Sequence, residues 1–110
     1  MDELTQNYID YLIIEKGLSK NSLVSYSSDL SKYITFLEKN NIHDLNEVDT
    51  TVILAWLIEL TKKGLSSRSR ARHIITIRGL YKFLMAEKKV TKSPVKDVDI
   101  PKTGLALPKI

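Results

Sequence analysis

Apolar residues recur at intervals of three and four through four stretches of this chain, and no stretch alternates apolar with polar as a half-buried strand does. That periodicity restricts the chain to helices with one apolar stripe each, and the stripes must bury one another. The first, Leu4, Tyr8, Tyr11 and Leu12, predicts a helix from about Glu3 to Lys16, stopped at Gly17. The second, Leu23, Tyr26, Leu30, Ile34 and Leu37, predicts a helix that opens after Ser19, a good N-cap, and runs to Lys39 before Asn40-Asn41. The third starts at Asp49 or Thr50, carries Ile53, Trp56, Leu57 and Leu60, and ends at Lys63 before Gly64. The fourth opens at Ser66 or Ser67, carries Ala71, Ile74, Ile77, Leu80 or Tyr81, and Leu84, and ends near Lys88.

The expected fold is therefore all-α, a small bundle of four main helices packed around Leu30, Trp56, Leu80 and Leu84. Beyond Thr91 the pattern breaks at Pro94, Pro101, Gly104 and Pro108. The reading is one domain over 1–92 and an irregular linker over 93–110, tail rather than core, with at most a short turn around Val95–Val98.

Charge is distributed unevenly. Met1–Thr61 holds four lysines and arginines against ten acidic residues, whereas Lys62–Ile110 holds thirteen against three. Such asymmetry points to an anionic partner, nucleic acid or an acidic membrane surface. A solvated basic face balanced by an acidic one on the same small protein accounts for it equally well. No apolar run approaches the roughly 20 residues that span a bilayer, and the acidic start at Asp2 and Glu3 has the wrong charge for a secretory signal. Cysteine is absent, which excludes disulfides and thiolate metal sites. The cytoplasm is the expected compartment.

Catalytic and cofactor signals are missing from the pattern. His43 and His73 are isolated, neither with a second ligand at metal spacing on its helix face. Four glycines form no phosphate loop. The carboxylates of the first half scatter over solvent-facing positions. No cofactor, no metal and no enzyme activity are expected.

The fourth helix carries more information. It opens Ser66-Ser67-Arg68-Ser69-Arg70-Ala71-Arg72-His73, and Arg68, Arg72, Gly79 and Lys82 fall opposite Ile77 and Leu84. A helix N-terminus already offers free N–H groups and partial positive charge to a phosphate. Arginines there work against the helix dipole, at a few tenths of a kcal/mol each, so a role other than helix stability is expected of them. Arginine also reads a guanine edge with two hydrogen bonds. Gly79, about 1 kcal/mol poorer than alanine within a helix, is expected on the exposed face, admitting a backbone or phosphate. The second helix opens similarly, Ser19-Lys20-Asn21-Ser22 and then Ser25-Tyr26-Ser27-Ser28. Short hydroxyls and an amide permit close approach and contact with phosphates or bases, although N-capping and solvation explain these residues as well.

In order and at matching spacing, these residues resemble a family. Leu18-Ser19-Lys20-Asn21-Ser22-Leu23 with Tyr26 and Asp29-Leu30 resembles the opening signature of Xer-type tyrosine recombinases. Gly64-Leu65-Ser66-Ser67-Arg68-Ser69, with Ala71-Arg72, Arg78, Tyr81-Lys82-Phe83-Leu84 and Ser93-Pro94, resembles their second signature. Ile100-Pro101-Lys102 to Leu107-Pro108-Lys109 resembles the linker into their catalytic domain. The resemblance implies a SAM-like core-binding domain that grips one face of double-stranded DNA while a catalytic domain closes from the other. By position it assigns DNA contact to Ser19, Lys20, Asn21, Ser22 and Tyr26, then Ser67, Arg68, Ser69, Arg72 and His73; Lys82 joins them from its place on the helix wheel. Tyr26 also has the spacing of a core residue.

The family's catalytic His-x-x-Arg is not matched, since His43 is followed by Asp44-Leu45-Asn46 and His73 by Ile74-Ile75-Thr76. The expectation is a domain that cleaves no DNA by itself, whose partners are duplex DNA, a catalytic domain absent from this sequence, and other protomers in a tetramer, with no membrane. A phage or transposon integrase shares this domain and is a close alternative. A helical protein-interaction module is an alternative of another class. A helix-turn-helix regulator fits less well, because a full apolar helix separates the two basic helix starts.

Overall fold

The computed structural model describes residues 1–96 and 98. They form helices α1 (Asp2–Ile14), α2 (Lys20–Lys39), α3 (Thr50–Lys62) and α4 (Ser67–Ala86), with a 3-10 turn at Leu45–Glu47 and no strand among the described residues. The all-α bundle of four helices is as expected from the periodicity, and the four helix starts fall within a residue or so of expectation.

Side chains set three of those starts. Ser19 Oγ accepts the Ser22 N–H at 3.2 Å, Asp49 Oδ1 accepts that of Val52 at 3.1 Å, and Ser66 Oγ accepts that of Ser69 at 3.2 Å. Each cap satisfies one of the N–H groups a helix start leaves without a partner. Three of the helices end alike. A left-handed residue, Asn41, Gly64 or Lys88, lets the next N–H reach back to the carbonyl of Leu37, Leu60 or Leu84 at 2.8–3.2 Å. Lys88 thus lies just past the end of α4, at φ 60°, where a side chain is disfavoured.

The long helix α4 is the axis of the bundle, with Ile74, Ile77, Leu80, Tyr81 and Leu84 wholly buried among α1, α2 and α3. Leu30 and Trp56 join them as expected. Two phenols cross this core. Tyr81 donates to the Leu45 carbonyl at 3.0 Å and receives a hydrogen bond from Tyr33 at 2.8 Å, which fastens the 3-10 turn to α2 and α4. The chain between α2 and α3, which carries no helical periodicity, is held by these bonds.

Two expectations are corrected. The segment beyond Thr91 is core at Val95 and Val98, which are buried together with Pro94. Arg78 Nη2 donates to the carbonyls of Val95 and Val98 at 3.2 and 2.6 Å, satisfying a turn that has no regular partner. The turn expected near Val95–Val98 is present, at 94–96. The remainder of the expected linker, 97 and 99–110, lies outside the described residues.

The second correction concerns Gly79, which is not an open approach point. A Cβ there would fall on the Tyr8 hydroxyl, so the glycine admits α1 rather than a phosphate.

Candidate nucleic-acid interface

Asp29 meets Arg72 and Thr76, and one turn further along α2, Tyr33 meets Tyr81. The two contacts advance in the same sense along both helices, so α2 and α4 run roughly the same way and present their N-termini at one end of the bundle. Both starts offer free backbone N–H groups there.

Asn21, Ser22, Ser25 and Tyr26 from α2 and Arg72 from α4 line one shallow cavity at this end. Asn21, Ser22 and Arg72 are exposed, whereas Tyr26 is half-buried and packs against the core with its inner side. Lys20 and Arg68 are exposed, and neither has a carboxylate within ion-pair distance among the described residues. The hydroxyls of Ser19 and Ser66 are engaged as caps and bond to Ser22 and Ser69 as well. Ser67 accepts from Arg70 Nη2 at 3.2 Å, while Arg70 Nη1 donates to the Leu65 carbonyl at 2.7 Å and so braces the turn from α3 into α4.

Beneath the cavity lies a polar cluster that sequence reasoning did not single out. Asp29 has no solvent exposure. It accepts Arg72 Nε–H at 2.9 Å and Arg72 Nη2–H at 2.8 Å; the Thr76 hydroxyl, whose one proton is shared with the Arg72 carbonyl at 3.0 Å, stands 3.2 Å from its Oδ2, and His73 Nε2 3.3 Å from its Oδ1. Hydrogen bonding to Asp29 raises the Arg72 guanidinium above its ordinary pKa, against an opposing desolvation effect. Asp29 had entered as part of a motif and, with the other carboxylates of the first half, was expected to face solvent; its burial corrects that expectation. The signal that marks it is a carboxylate one residue from Leu30 and four from Tyr33, inside an apolar stripe, where an unpaired charge would be too costly to keep.

Two residues expected to contact DNA stand apart from this cavity. His73 is wholly buried, with its ring 5.7 Å from Trp56 and Nδ1 2.8 Å from the Ser69 carbonyl. One residue past Arg72, it is turned about 100° round the helix, toward α3. Lys82 is exposed, but fourteen residues beyond Arg68 it stands about 21 Å along the axis, beside Tyr8, Tyr11 and Lys16 in a groove between α1 and α4.

Among the described residues no group of three or more His, Asp or Glu side chains is placed to hold a metal ion, and no helix is long and apolar enough to cross a membrane.

Residues 5–88 match the family described as phage integrase, N-terminal SAM-like domain. The chain is 37% identical over 110 residues to a protein of Staphylococcus epidermidis named tyrosine recombinase XerD, covering all of this chain and 37% of that protein. It is 35% identical over 108 residues to a Rickettsia bellii protein of the same name, covering 98% of this chain and 35% of the relative. A Listeria monocytogenes protein so named is 29% identical over 111 residues, again covering 37% of its length. The chain thus spans little more than a third of the relatives it matches. No solved structure matches it. With most of its length in register with that family, this chain belongs to the phage integrase N-terminal SAM-like domains, and its relatives are tyrosine recombinases.

Proposed function

We propose that this chain is the duplex-DNA-binding domain of a tyrosine site-specific recombinase, gripping one half of an inverted-repeat site during strand exchange such as chromosome dimer resolution. The observation that carries the reading is the meeting of α2 and α4 at a cavity lined by Asn21, Ser22, Tyr26 and Arg72, with exposed Lys20 one residue before Asn21 and exposed Arg68 one helical turn before Arg72, neither ion-paired among the described residues. Free N–H groups, short donors and unpaired cations together suit a phosphate backbone, with base edges within reach of the longer side chains. Ser19, Ser67 and Ser69 contribute to this face chiefly by shaping the helix starts.

In this reading 1–92 is the DNA-gripping unit, completed by the core residues Val95 and Val98, and the chain then leads toward a catalytic domain which supplies the nucleophile. The chain itself cleaves no DNA, works in the cytoplasm, and meets other recombinase protomers on paired duplexes. The same domain in a phage or transposon integrase would work alike.

Titration of the chain by fluorescence anisotropy against an inverted-repeat recombination site and a scrambled duplex, at several salt concentrations, tests the reading. Binding whose log–log salt slope is about −0.9 per phosphate contact supports it. No binding to either duplex at low salt overturns it. That outcome favours a protein-interaction module instead, a role to which the exposed Leu54 and Ile58 on the outer face of α3 would be suited.

A further inference from the structure

We infer that Arg72 is a base-reading residue of this face, with Asp29 as its positioning residue: one edge of the guanidinium is clamped by the buried carboxylate, and the other is offered to the two acceptors on the major-groove edge of a guanine. The inference rests on the DNA-binding reading and goes further, because it separates the residue that selects sequence from the residues that supply attraction.

Three observations carry it. The first is geometric. Asp29 takes the Nε–H and one Nη2–H, along the side of the guanidinium. The Nη1 hydrogens and the second Nη2 hydrogen have no partner among the described residues, and the side chain is 44% exposed on the cavity it shares with Asn21, Ser22, Ser25 and Tyr26. That free edge is a planar two-donor fork, the shape that matches guanine O6 and N7.

The second is electrostatic. Paired with a carboxylate, Arg72 adds little net charge to the face, so it contributes little to the counterion release that dominates phosphate affinity. Exposed Lys20 and Arg68 are free to do so.

The third is order. Asp29 is also bonded by Thr76, lies beside His73 and has no exposure, so it cannot follow Arg72 into solvent. The fork is fixed before DNA arrives, which lowers the entropy lost on contact and penalises a base that offers the wrong pattern. The small neighbours Asn21, Ser22 and Ser25 leave room above it.

The test uses the 110-residue chain and a duplex it selects from a randomised library. Each guanine is then replaced singly by 7-deazaguanine, which removes the N7 acceptor and keeps base pairing and charge. We expect one guanine per bound chain whose replacement weakens binding about threefold to tenfold, roughly half the worth of a bidentate contact. In Arg72→Lys, which keeps the pair's charges but loses the fork, the same replacement has no effect and the salt slope stays at the wild-type value. Arg68→Ala should instead lower the slope by about 0.9 and leave the guanine effect intact.

Circular dichroism verifies folding. Should Arg72→Lys fail to fold, the neutral pair Asp29→Asn with Arg72→Met takes its place, and the scan on the unaltered chain needs no variant. A chain that binds duplex but selects no sequence, shows no sensitive guanine, or keeps its sensitive guanine in the Arg72 variant overturns the inference and leaves DNA binding standing. A chain that binds no duplex at low salt removes the DNA-binding reading, and the inference with it.

Discussion

Arg72 lies side-on against Asp29, Nε–H to Oδ2 at 2.9 Å and Nη2–H to Oδ1 at 2.8 Å, and the pair joins α2 to α4 with one partner buried and the other half in water. The asymmetry makes the two ends of the bond unequal. Removing Arg72 strands a buried carboxylate with only Thr76 and His73 beside it. Removing the charge of Asp29 leaves an arginine that can resolvate. Breaking a fully buried pair costs about 3–5 kcal/mol, and solvent around the outer half of Arg72 reduces that. Arg72→Ala should therefore destabilise the domain by about 2–3 kcal/mol and Asp29→Asn by less. Urea unfolding of both variants checks the order.

Gly79 and Tyr8 should be coupled. Gly79→Ala gains about 1 kcal/mol of helix propensity, but its methyl meets the Tyr8 hydroxyl on a residue 5% exposed. Overpacking costs about 1–3 kcal/mol, so the single variant should be less stable than the parent. In the Tyr8→Phe background the obstructing oxygen is gone and the same change should stabilise. Thermal unfolding of the four proteins of this double-mutant cycle measures the change of sign.

Alkali should unfold the domain through its phenols. Burial pushes Tyr8 up to about 12 from its ordinary 10.0, and pushes Tyr33 and Tyr81 up as well. Above pH 10 the unfolded chain releases protons that the folded chain retains, so stability present below pH 10 is lost as pH rises through the folded values. Tyr8→Phe should make that loss shallower between pH 10 and 12, read from urea midpoints at successive pH values.

Lys88 closes α4 in a left-handed conformation that costs a side chain about 1 kcal/mol. Lys88→Gly should raise stability by about 0.5–1 kcal/mol, part of the gain being offset by the freer unfolded glycine. A higher melting temperature with unchanged DNA affinity is the expected result.

The bundle was legible in the sequence because its signals are local. Ser19, Asp49 and Ser66 each declare a helix start within four residues, and the stripe through Ile74, Ile77, Leu80 and Leu84 declares a buried face. What escaped sequence reasoning depends on partners far away in the chain. Gly79 looked open because Tyr8 lies far away in the sequence, and Val95 and Val98 looked like tail because Arg78 had no visible acceptors. Of the proposed contact residues, Asn21, Ser22, Tyr26 and Arg72 are brought together at one cavity. His73 and Lys82 stand apart from it, because a 100° step per residue and a 1.5 Å rise separate neighbours in sequence by face and by distance.

The central claim, that duplex DNA is held by the N-termini of α2 and α4, is tested most directly by backbone amide NMR of the chain titrated with duplex. The account predicts that the largest shifts fall on Lys20–Tyr26 and Ser67–Arg72 and are lost together as salt is raised. Shifts centred instead on α1 or on the Leu54 and Ile58 face of α3, with the two helix starts unmoved, would contradict it.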